Sequence, residues 1–206
     1  MQPLKPGPQQ TGIALIESLI ALLIASLGIL GILGLQMRTL ADTQTGVRRA
    51  QAIRLVEDLS ERTKANPHSL SQINQYVSDW DHTPDATAAN CSARSCGPAD
   101  MALYHLAQWK ASVAQMLPLG KARIFLAENE TSSAAPNRRQ LGVMISWREN
   151  ERSTTDDYKQ PIGVGSEKGS STCLADRTCH LQYITLSARC APYFADQQVQ
   201  FFCAGQ

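Results

Sequence analysis

The chain has 206 residues, of which 19 are Lys or Arg and 18 are Asp or Glu, so its formal net charge is +1. A balance this close to neutrality excludes a general electrostatic attraction to phosphates, so no nucleic-acid partner is expected. Residues 67–206 are enough to form one domain with its own core, whereas two domains would be hard to fit.

A long apolar segment lies near the N-terminus. Glu17 is the single charged residue between Lys5 and Arg38, and the apolar segment covers the 23 residues 13–35. This length suffices to cross a hydrocarbon core of roughly 30 Å, because a helix rises about 1.5 Å per residue. The segment therefore predicts a transmembrane helix.

The residues before this segment form a polar leader that contains three prolines and Lys5. An ordinary secretory signal has a charged start, a shorter apolar centre and a cleavage site after that centre. Here the order is reversed, because the small residue Gly12 stands in front of the apolar stretch. If a peptidase cuts after Gly12, the hydrophobic helix stays on the mature protein and begins with Ile13.

Glu17 is an acid inside the predicted membrane segment. Such a residue costs roughly 2.5 to 3.5 kcal/mol on insertion scales and usually has a functional partner. One interpretation is a tolerated carboxyl near the helix end, protonated or reaching toward the headgroups. The other is that cleavage frees an amine on Ile13, one helical turn away, which pairs with this carboxylate or with that of a neighbouring subunit.

Small residues form a narrow stripe along the same helix. At 100° per residue they fall within an arc of about 80°, with Glu17 at its edge. The stripe consists of Ala14, Ser18, Ala21, Ala25 and Gly28. Small residues let another helix approach closely within a membrane. A plain anchor with chance composition is the alternative, but the coincidence of stripe and carboxylate favours helix-to-helix assembly.

Apolar residues at helical spacing continue beyond the membrane segment, as expected where a helix lies against a globular body. They are Ala52, Leu55, Val56 and Leu59. Asn66 precedes Pro67 and is therefore pushed out of helical geometry. We predict one helix from Ile13 to about Ala65, with its first part in the membrane and the rest outside.

A second amphipathic helix is predicted after Pro98. Its apolar residues recur at spacings of three and four, and the pattern ends at Leu117-Pro118. They are Ala102, Leu106, Trp109, Val113 and Met116. At this spacing Trp109 is assigned to the core or to helix packing rather than to ligand binding.

Alternating apolar residues then predict strands. The candidates are residues 122–126, 143–147, 181–188 and 199–203. Several short strands with no helix between them favour an antiparallel sheet, so the predicted fold class is α+β. Two polar loops, residues 128–139 and 149–172, separate the strands, and the second is either a functional surface or disordered.

Six cysteines all follow the long helix. They are Cys91, Cys96, Cys173, Cys179, Cys190 and Cys203. An even number fits an oxidising compartment, and although fifteen connectivities are possible, the sequential pairs close the smallest loops. Zinc binding is the rival interpretation, but no C-x-x-C occurs, so disulfides are favoured.

No motif predicts catalysis or a cofactor. Residues 163–170 superficially resemble a phosphate-binding loop, but the spacing is wrong and no Lys follows the final glycine. The four histidines, His68, His82, His105 and His180, show no paired spacing of the kind that binds a metal ion. We therefore expect a non-enzymatic protein with no cofactor and no metal.

The N-terminal sequence resembles the class III leader and first helix of type IV pilins. The run GIALIESLIALLI at residues 12–24 carries this resemblance. Within that group the chain looks like a minor pilin of the PilV family, over stretches that span most of the chain. These stretches are residues 62–67, Cys91 with Cys96, residues 101–109, Leu117-Pro118 with Gly120, and residues 143–147. One departure is Ile13, where the family more often has Phe.

The resemblance implies a type IV pilin-like fold, in which a long N-terminal helix packs on a globular domain with an antiparallel sheet. It implies that Gly12 is the last leader residue read by a prepilin peptidase, that Ile13 becomes N-methylated, and that Glu17 aligns an incoming subunit. The implied segments are the leader 1–12, the transmembrane and assembly half 13–35, the periplasmic half 36–66 and the disulfide-containing domain 67–206.

The implied function is that of a minor pilin in the complex that primes pilus assembly, near the tip. Its partners would be the prepilin peptidase, other minor pilins, the major pilin and the inner membrane. It would cross that membrane once, with a periplasmic C-terminal domain, and then enter the pilus at the cell surface. The rivals are a minor pseudopilin of a type II secretion system and a membrane-anchored periplasmic binding domain.

Overall fold

The computed structural model describes residues 13–84, 90–131, 138–149, 172–187, 190–195 and 198–203. The helices are α1 (Ile13–Ala65), a 3₁₀ helix (Ile73–Tyr76), α2 (Pro98–Met116) and α3 (Glu128–Thr131). The strands are β1 (Lys121–Leu126), β2 (Gln140–Trp147), β3 (Thr178–Thr185), β4 (Cys190–Ala195) and β5 (Gln198–Cys203). The chain divides into two compact units, Met1–Gln44 and Thr45–Gln206.

The described part of the first unit is α-helix, and its large apolar side chains are exposed. Among the described residues, α1 is the one helix long and apolar enough to cross a membrane, by length and composition alone. The predicted helix from Ile13 to Ala65 is confirmed.

The last part of α1 belongs to the second unit and contributes its apolar stripe to the main core. Ala52, Leu55, Val56 and Leu59 are all buried there. The chain leaves helical geometry at Asn66, as the following proline predicts. This segment therefore acts as a core element of the folded unit.

The second predicted helix is confirmed as α2, and it packs against α1. Trp109 is fully buried, and its indole Nε1 donates a hydrogen bond to the carbonyl oxygen of Leu55 at 2.7 Å. Met116, the last apolar residue of the predicted pattern, is half exposed. Leu117 is buried instead. Its backbone is extended, so its side chain no longer follows the helical repeat.

The three-stranded sheet has the order β1-β2-β3, and both pairings are antiparallel. The central strand β2 is buried on both faces. One face joins the main core through Val143 and Ile145, while Met144 packs with Phe125 and Leu181 in a second cluster on the other face. The α+β class with an antiparallel sheet is confirmed, and this covering of both faces explains why apolar residues fill nearly all of β2.

Gly142 shows how closely the second cluster is packed. It pairs with Phe125 on the neighbouring strand, and a Cβ built at Gly142 would lie 2.5 Å from two carbons of the phenyl ring. A glycine in the middle of a strand often marks such a close approach. Because Gly142 has no side chain, the phenyl ring of Phe125 can lie directly against the backbone of β2.

The remaining strands differ in part from the prediction. β3 begins three residues before the predicted start, because its polar first residues pair with the end of β2. β4 was not predicted, since Pro192 interrupts its pattern, although either strand of a two-stranded sheet is an edge where proline is tolerated.

The short α3 lies in the first predicted polar loop. Residues 132–137, 150–171 and Ala188, which belong to other predicted segments, lie outside the described residues.

Candidate assembly site

The predicted processing point lies at the beginning of α1. Ile13 is the first residue of this helix, while Gly12 and the rest of the predicted leader lie outside the described residues. Ala14 lies in the first helical turn. The residue that the sequence predicts as the mature N-terminus therefore belongs to α1.

The predicted assembly residues share this helix. Glu17, Ser18, Ala21, Ala25 and Gly28 are all exposed. Helical geometry places Ser18, Ala21, Ala25 and Gly28 on one face, with Glu17 at its edge. A Cβ built at Gly28 would meet no atom within 4 Å, so another helix has room to approach this face.

The surface around this face is strongly apolar. Leu15, Leu19 and Leu22 expose 75%, 66% and 67% of their surfaces. An exposed apolar area of this extent marks a membrane or protein contact rather than a surface kept in water. In such a setting the Glu17 carboxylate can accept hydrogen bonds from an amine or pair with its charge.

Asn66 supports the other end of α1 by joining three segments of the chain. Its side-chain Nδ2 donates to the Tyr76 hydroxyl at 3.2 Å and to the Pro98 carbonyl at 2.9 Å, and its Oδ1 accepts from the amide of His68 at 3.2 Å. The side chain is fully buried. Burial raises the pKa of Tyr76, with the bond from Asn66 acting in the opposite direction.

Residues 78–82, which we call the strap, cross the outer edge of β1. The strap is held by Lys110 of α2, whose ammonium donates to the carbonyl oxygen of Asp79 at 2.5 Å and to that of His82. Lys110 is only 6% exposed, and burial lowers its pKa to about 8. Sequence analysis missed this role because the lysine and its acceptors are about 30 residues apart in the chain.

Two ion pairs add to the attachment of the strap. Arg123 Nε lies 3.3 Å from an Asp79 carboxylate oxygen, and Lys121 Nζ lies 2.5 Å from one of Asp81. The hydrogen bond from Lys121, together with its charge, lowers the pKa of Asp81. Both ion pairs are partly exposed to solvent, so each contributes little to the free energy of unfolding. Their main effect is to fix where the strap lies on β1.

Two disulfides join cysteines that are close in the sequence. Cys91 is bonded to Cys96 and Cys173 to Cys179, with S–S distances of 2.06 and 2.03 Å. Cys190 is also disulfide-bonded, and the backbone register of β4 and β5 places it opposite Cys203. The first two bonds join two of the sequential pairs that close the smallest loops.

The described residues offer little for catalysis or metal binding. Within them no group of three or more His, Cys, Asp or Glu side chains could hold a metal ion. Burial lowers the pKa of His105 and of His180, so each favours the neutral form more than an exposed histidine does.

A family model described as Tt1218-like, Type IV pilin Tt1218, matches residues 34–107 of this chain. The match covers about a third of the sequence, from the last part of the apolar segment into α2. No curated protein and no solved structure gave a significant match. Together with the long apolar helix and the antiparallel sheet, the match gives an α+β fold of the pilin-like kind.

The match supports a type IV pilin family and a pilin role for this chain. A pilin role implies contact with other pilins and with the pilus machinery, and it is structural rather than enzymatic. The matched residues begin after Gly28, so they include none of the predicted processing and assembly residues. They do include Asn66, the strap and the Cys91–Cys96 disulfide.

Proposed function

We propose that the chain is a minor pilin of a type IV pilus, of the PilV family, in the complex that primes pilus assembly near the tip. The family match supports the pilin part of this proposal. The observation that carries it is one helix with an exposed apolar first part and a last part that belongs to the core of an α+β unit. Such a helix can anchor a subunit in lipid and later pack against other helices.

The chain crosses the inner membrane once, with its C-terminal domain in the periplasm, before it enters the pilus. The length and apolar composition of α1 support the membrane segment. The Cys91–Cys96 and Cys173–Cys179 disulfides support an oxidising compartment for the domain.

The prepilin peptidase hydrolyses the peptide bond between Gly12 and Ile13, and the freed amine of Ile13 is then N-methylated. Glu17 follows four residues later, about one helical turn along α1. Its carboxylate pairs with the terminal amine of a neighbouring subunit, which offsets the cost of holding either charge in an apolar setting. The stripe that includes Ala21 lets the two helices come close enough for this pair to form.

Intact-mass and N-terminal peptide analysis tests the processing step. The protein is expressed in membranes with and without a prepilin peptidase. We expect loss of residues 1–12 and a methylated Ile13 only when the peptidase is present. Gly12→Val should block cleavage because it adds a branched side chain at the cut, whereas the matched variant Gly7→Val, elsewhere in the leader, should be processed normally.

An unprocessed Met1 terminus under both conditions, with the peptidase active on a control pilin, would instead favour an anchored periplasmic binding domain. If cleavage occurs, co-purification separates the other possibilities. A pilus subunit should be recovered with sheared surface filaments, whereas a pseudopilin would be recovered only with secretion components. The proposal requires the first result.

A further inference from the structure

One end of the three-stranded sheet carries arginines and exposed apolar side chains. Residues 117–120 lead into β1, Arg148 directly follows β2, and Arg177 directly precedes β3. Because both pairings are antiparallel, these residues lie at the same end of the sheet. We propose that this end, which we call the arginine end and which also includes Arg48 of α1, is a docking surface for the anionic headgroups of a membrane. The inference rests on the membrane segment of the proposed function and goes beyond it.

Hydrogen bonds hold the parts of the arginine end together. The Arg148 amide donates to the Pro118 carbonyl oxygen at 3.0 Å, and the Arg177 guanidinium donates to the carbonyl oxygen of Leu119. From α1, Arg48 Nη1 donates to the Arg148 carbonyl oxygen at 3.5 Å. Three arginines that are far apart in the sequence therefore meet at one place in the second unit.

The charges of these arginines are not balanced by ion pairs. Arg48 and Arg177 donate to carbonyl oxygens, which carry no net charge. Among the residues that the structure describes, none of the three arginines is in ion-pair contact with a carboxylate. Trp147 pairs with Thr178, so Arg148 and Arg177 are the next residues on neighbouring strands, where like charges repel each other. This arrangement favours an anionic partner.

Cations also outnumber acids in the immediate surroundings of the arginine end. The cations are Arg48, Arg49, Lys121, Arg148 and Arg177, and the acids are Asp81, Glu149 and Asp176. Asp81 pairs with Lys121, and Glu149 accepts a hydrogen bond from the Trp147 indole. The excess of positive charge is the kind that anionic lipids attract to a membrane surface.

Leu119 adds an exposed apolar side chain in an uncommon backbone conformation. Its φ is 52°, and the Gly120 amide closes the turn by donating to the Leu117 carbonyl oxygen at 2.9 Å. The third position of a four-residue turn with a positive φ is normally Gly or Asn. Leu119 nevertheless exposes 60% of its surface, and Met116 nearby exposes 50%. An outlier of this kind points to a function, and apolar side chains beside cations suit the headgroup region of a bilayer.

The length of the chain keeps the arginine end within reach of a membrane. Residues 36–47 separate the predicted membrane segment from Arg48. Even fully extended, a stretch of this length spans at most about 40 Å. A short tether gives a high effective concentration, so weak docking on the lipid surface is enough. A membrane that holds residues 13–35 is thus the preferred partner, and an acidic protein surface is the alternative.

Fluorescence quenching of the full chain in lipid nanodiscs tests the proposal. Gln115→Cys carries a dye near the arginine end, and Asp100→Cys carries the same dye near the other end of α2. A nitroxide on the lipid headgroups quenches a dye that lies close to the membrane surface. We expect quenching at position 115 to rise at least about fivefold from phosphatidylcholine to phosphatidylglycerol nanodiscs, the factor that one arginine near an anionic surface contributes. Quenching at position 100 should not change.

Substitutions identify the side chains responsible. Arg48→Gln, Arg148→Gln and Arg177→Gln together should abolish the rise at position 115, and so should high salt, which screens the charges. Leu119→Gly should reduce the rise at least about twofold, because an inserted leucine contributes to binding at the membrane surface. This change keeps the turn, since glycine readily adopts a positive φ. Arg94→Gln, which removes an exposed arginine from the loop before α2, is the matched control and should have no effect.

The proposal is overturned if the two positions are quenched equally in phosphatidylglycerol nanodiscs, a result that would favour an acidic protein partner. It is also overturned if the rise persists in the triple variant while the Val143 and Ile145 amides stay protected from hydrogen exchange, which verifies an intact sheet. If the triple variant loses this protection, Leu119→Gly and high salt decide instead, and a rise that neither reduces overturns the proposal.

The same experiment separates this inference from the proposed function. A chain that does not enter nanodiscs would overturn the membrane segment of the proposed function and this inference with it. A chain that enters nanodiscs but does not dock on anionic lipid would overturn this inference alone. Neither result depends on processing at Gly12.

Discussion

The Asn66 side chain connects the end of α1 to the 3₁₀ helix and to the start of α2. Replacing it by alanine leaves the Pro98 carbonyl and the His68 amide without this partner inside the folded unit. We expect Asn66→Ala to lower the free energy of unfolding by about 2–4 kcal/mol, since each unsatisfied buried polar group costs roughly 1–3 kcal/mol. Urea denaturation of the detergent-solubilised chain, followed by near-ultraviolet circular dichroism, measures this loss.

Asn74→Ala is the matched control, because Asn74 accepts an exposed hydrogen bond from Arg138. Its effect should stay within about 0.5 kcal/mol, as is usual for surface positions. Equal effects of the two substitutions would contradict the role of Asn66 as a junction.

Lys110 gives stability a dependence on pH whose sign can be derived. Burial lowers its pKa from 10.5 to about 8, while Asp79 and Asp81 act in the opposite direction. Between these two values the unfolded chain holds a proton that the folded chain has released. The contribution of Lys110 to the free energy of unfolding should therefore rise with pH from about 8 to about 10.5, by at most ~1.4 kcal/mol per pH unit.

The measurement compares the unmodified chain with Lys110→Met by urea denaturation at several pH values between about 6 and about 10. The difference in stability between them should be constant below about pH 7 and should change in favour of the unmodified chain above pH 8. Lys64→Met, which removes a lysine from an exposed ion pair, is the matched control for the loss of a lysine. A difference that moves the other way would show that folding raises the pKa of Lys110.

Local sequence signals predicted where these residues lie but not what they contact. Pro67 was enough to place the end of α1 at Ala65. The partners of Asn66 lie 10 and 32 residues further along the chain, and no local pattern connects them. Lys110 sits beside Trp109 in a helix whose buried face was predicted, yet its burial depends on a strap that sequence periodicity did not reveal.

At the scale of single elements, the small-residue stripe of α1 gives the most direct test of assembly. Ala21→Leu places a larger side chain where another helix would approach. We expect crosslinking between subunits in membranes to fall about fivefold, since contacts between membrane helices contribute roughly 1 kcal/mol. Membrane insertion should be unchanged, because the substitution makes the segment more apolar.

Ser26→Leu is the control for bulk. It lies five residues further along α1, about 140° around the helix from Ala21. Its hydroxyl donates to the Leu23 carbonyl oxygen within the same helix at 2.8 Å, so the substitution disturbs no contact with another element. Unchanged crosslinking in Ala21→Leu would contradict the proposal that the stripe mediates assembly. An equal loss of crosslinking in Ser26→Leu would contradict it as well.

Sequence patterns predicted the helices better than the strands. The stripe formed by Leu55, Leu59 and their neighbours has a period that only a helix produces, and α1 and α2 both have the predicted bounds. The polar start of β3, at Thr178, takes its structure from pairing with Trp147, which is distant in the sequence. Periodicity does not show where a helical repeat stops, so it did not reveal that Leu117 is buried while Met116 is exposed.

At the scale of the whole molecule, the two units predict a boundary for independent folding. A chain that starts at Thr45 keeps the part of α1 that belongs to the core and loses its exposed apolar part. We expect it to fold in water without detergent and to be monomeric by sedimentation. Aggregation or absence of tertiary structure would contradict the division into units.

A chain that starts at Asn66 is the informative comparison. It lacks three large buried side chains, Leu55, Val56 and Leu59, each worth roughly 1.5–3 kcal/mol on burial. Their sum is comparable with the total stability of a typical domain, about 5–15 kcal/mol. This shorter chain should therefore fail to fold, although it contains every strand of both sheets.

The three tryptophans of the chain stand in three different surroundings. Trp109 is buried between α1 and α2, Trp147 is buried at the end of β2 with its indole bonded to Glu149, and Trp80 is partly buried on the strap. Variants that keep one indole each would emit at wavelengths set by those surroundings. The molecule thus carries its own spectroscopic probes, and parallel stopped-flow experiments on these variants can show whether the helical core, the sheet and the strap form together or in sequence.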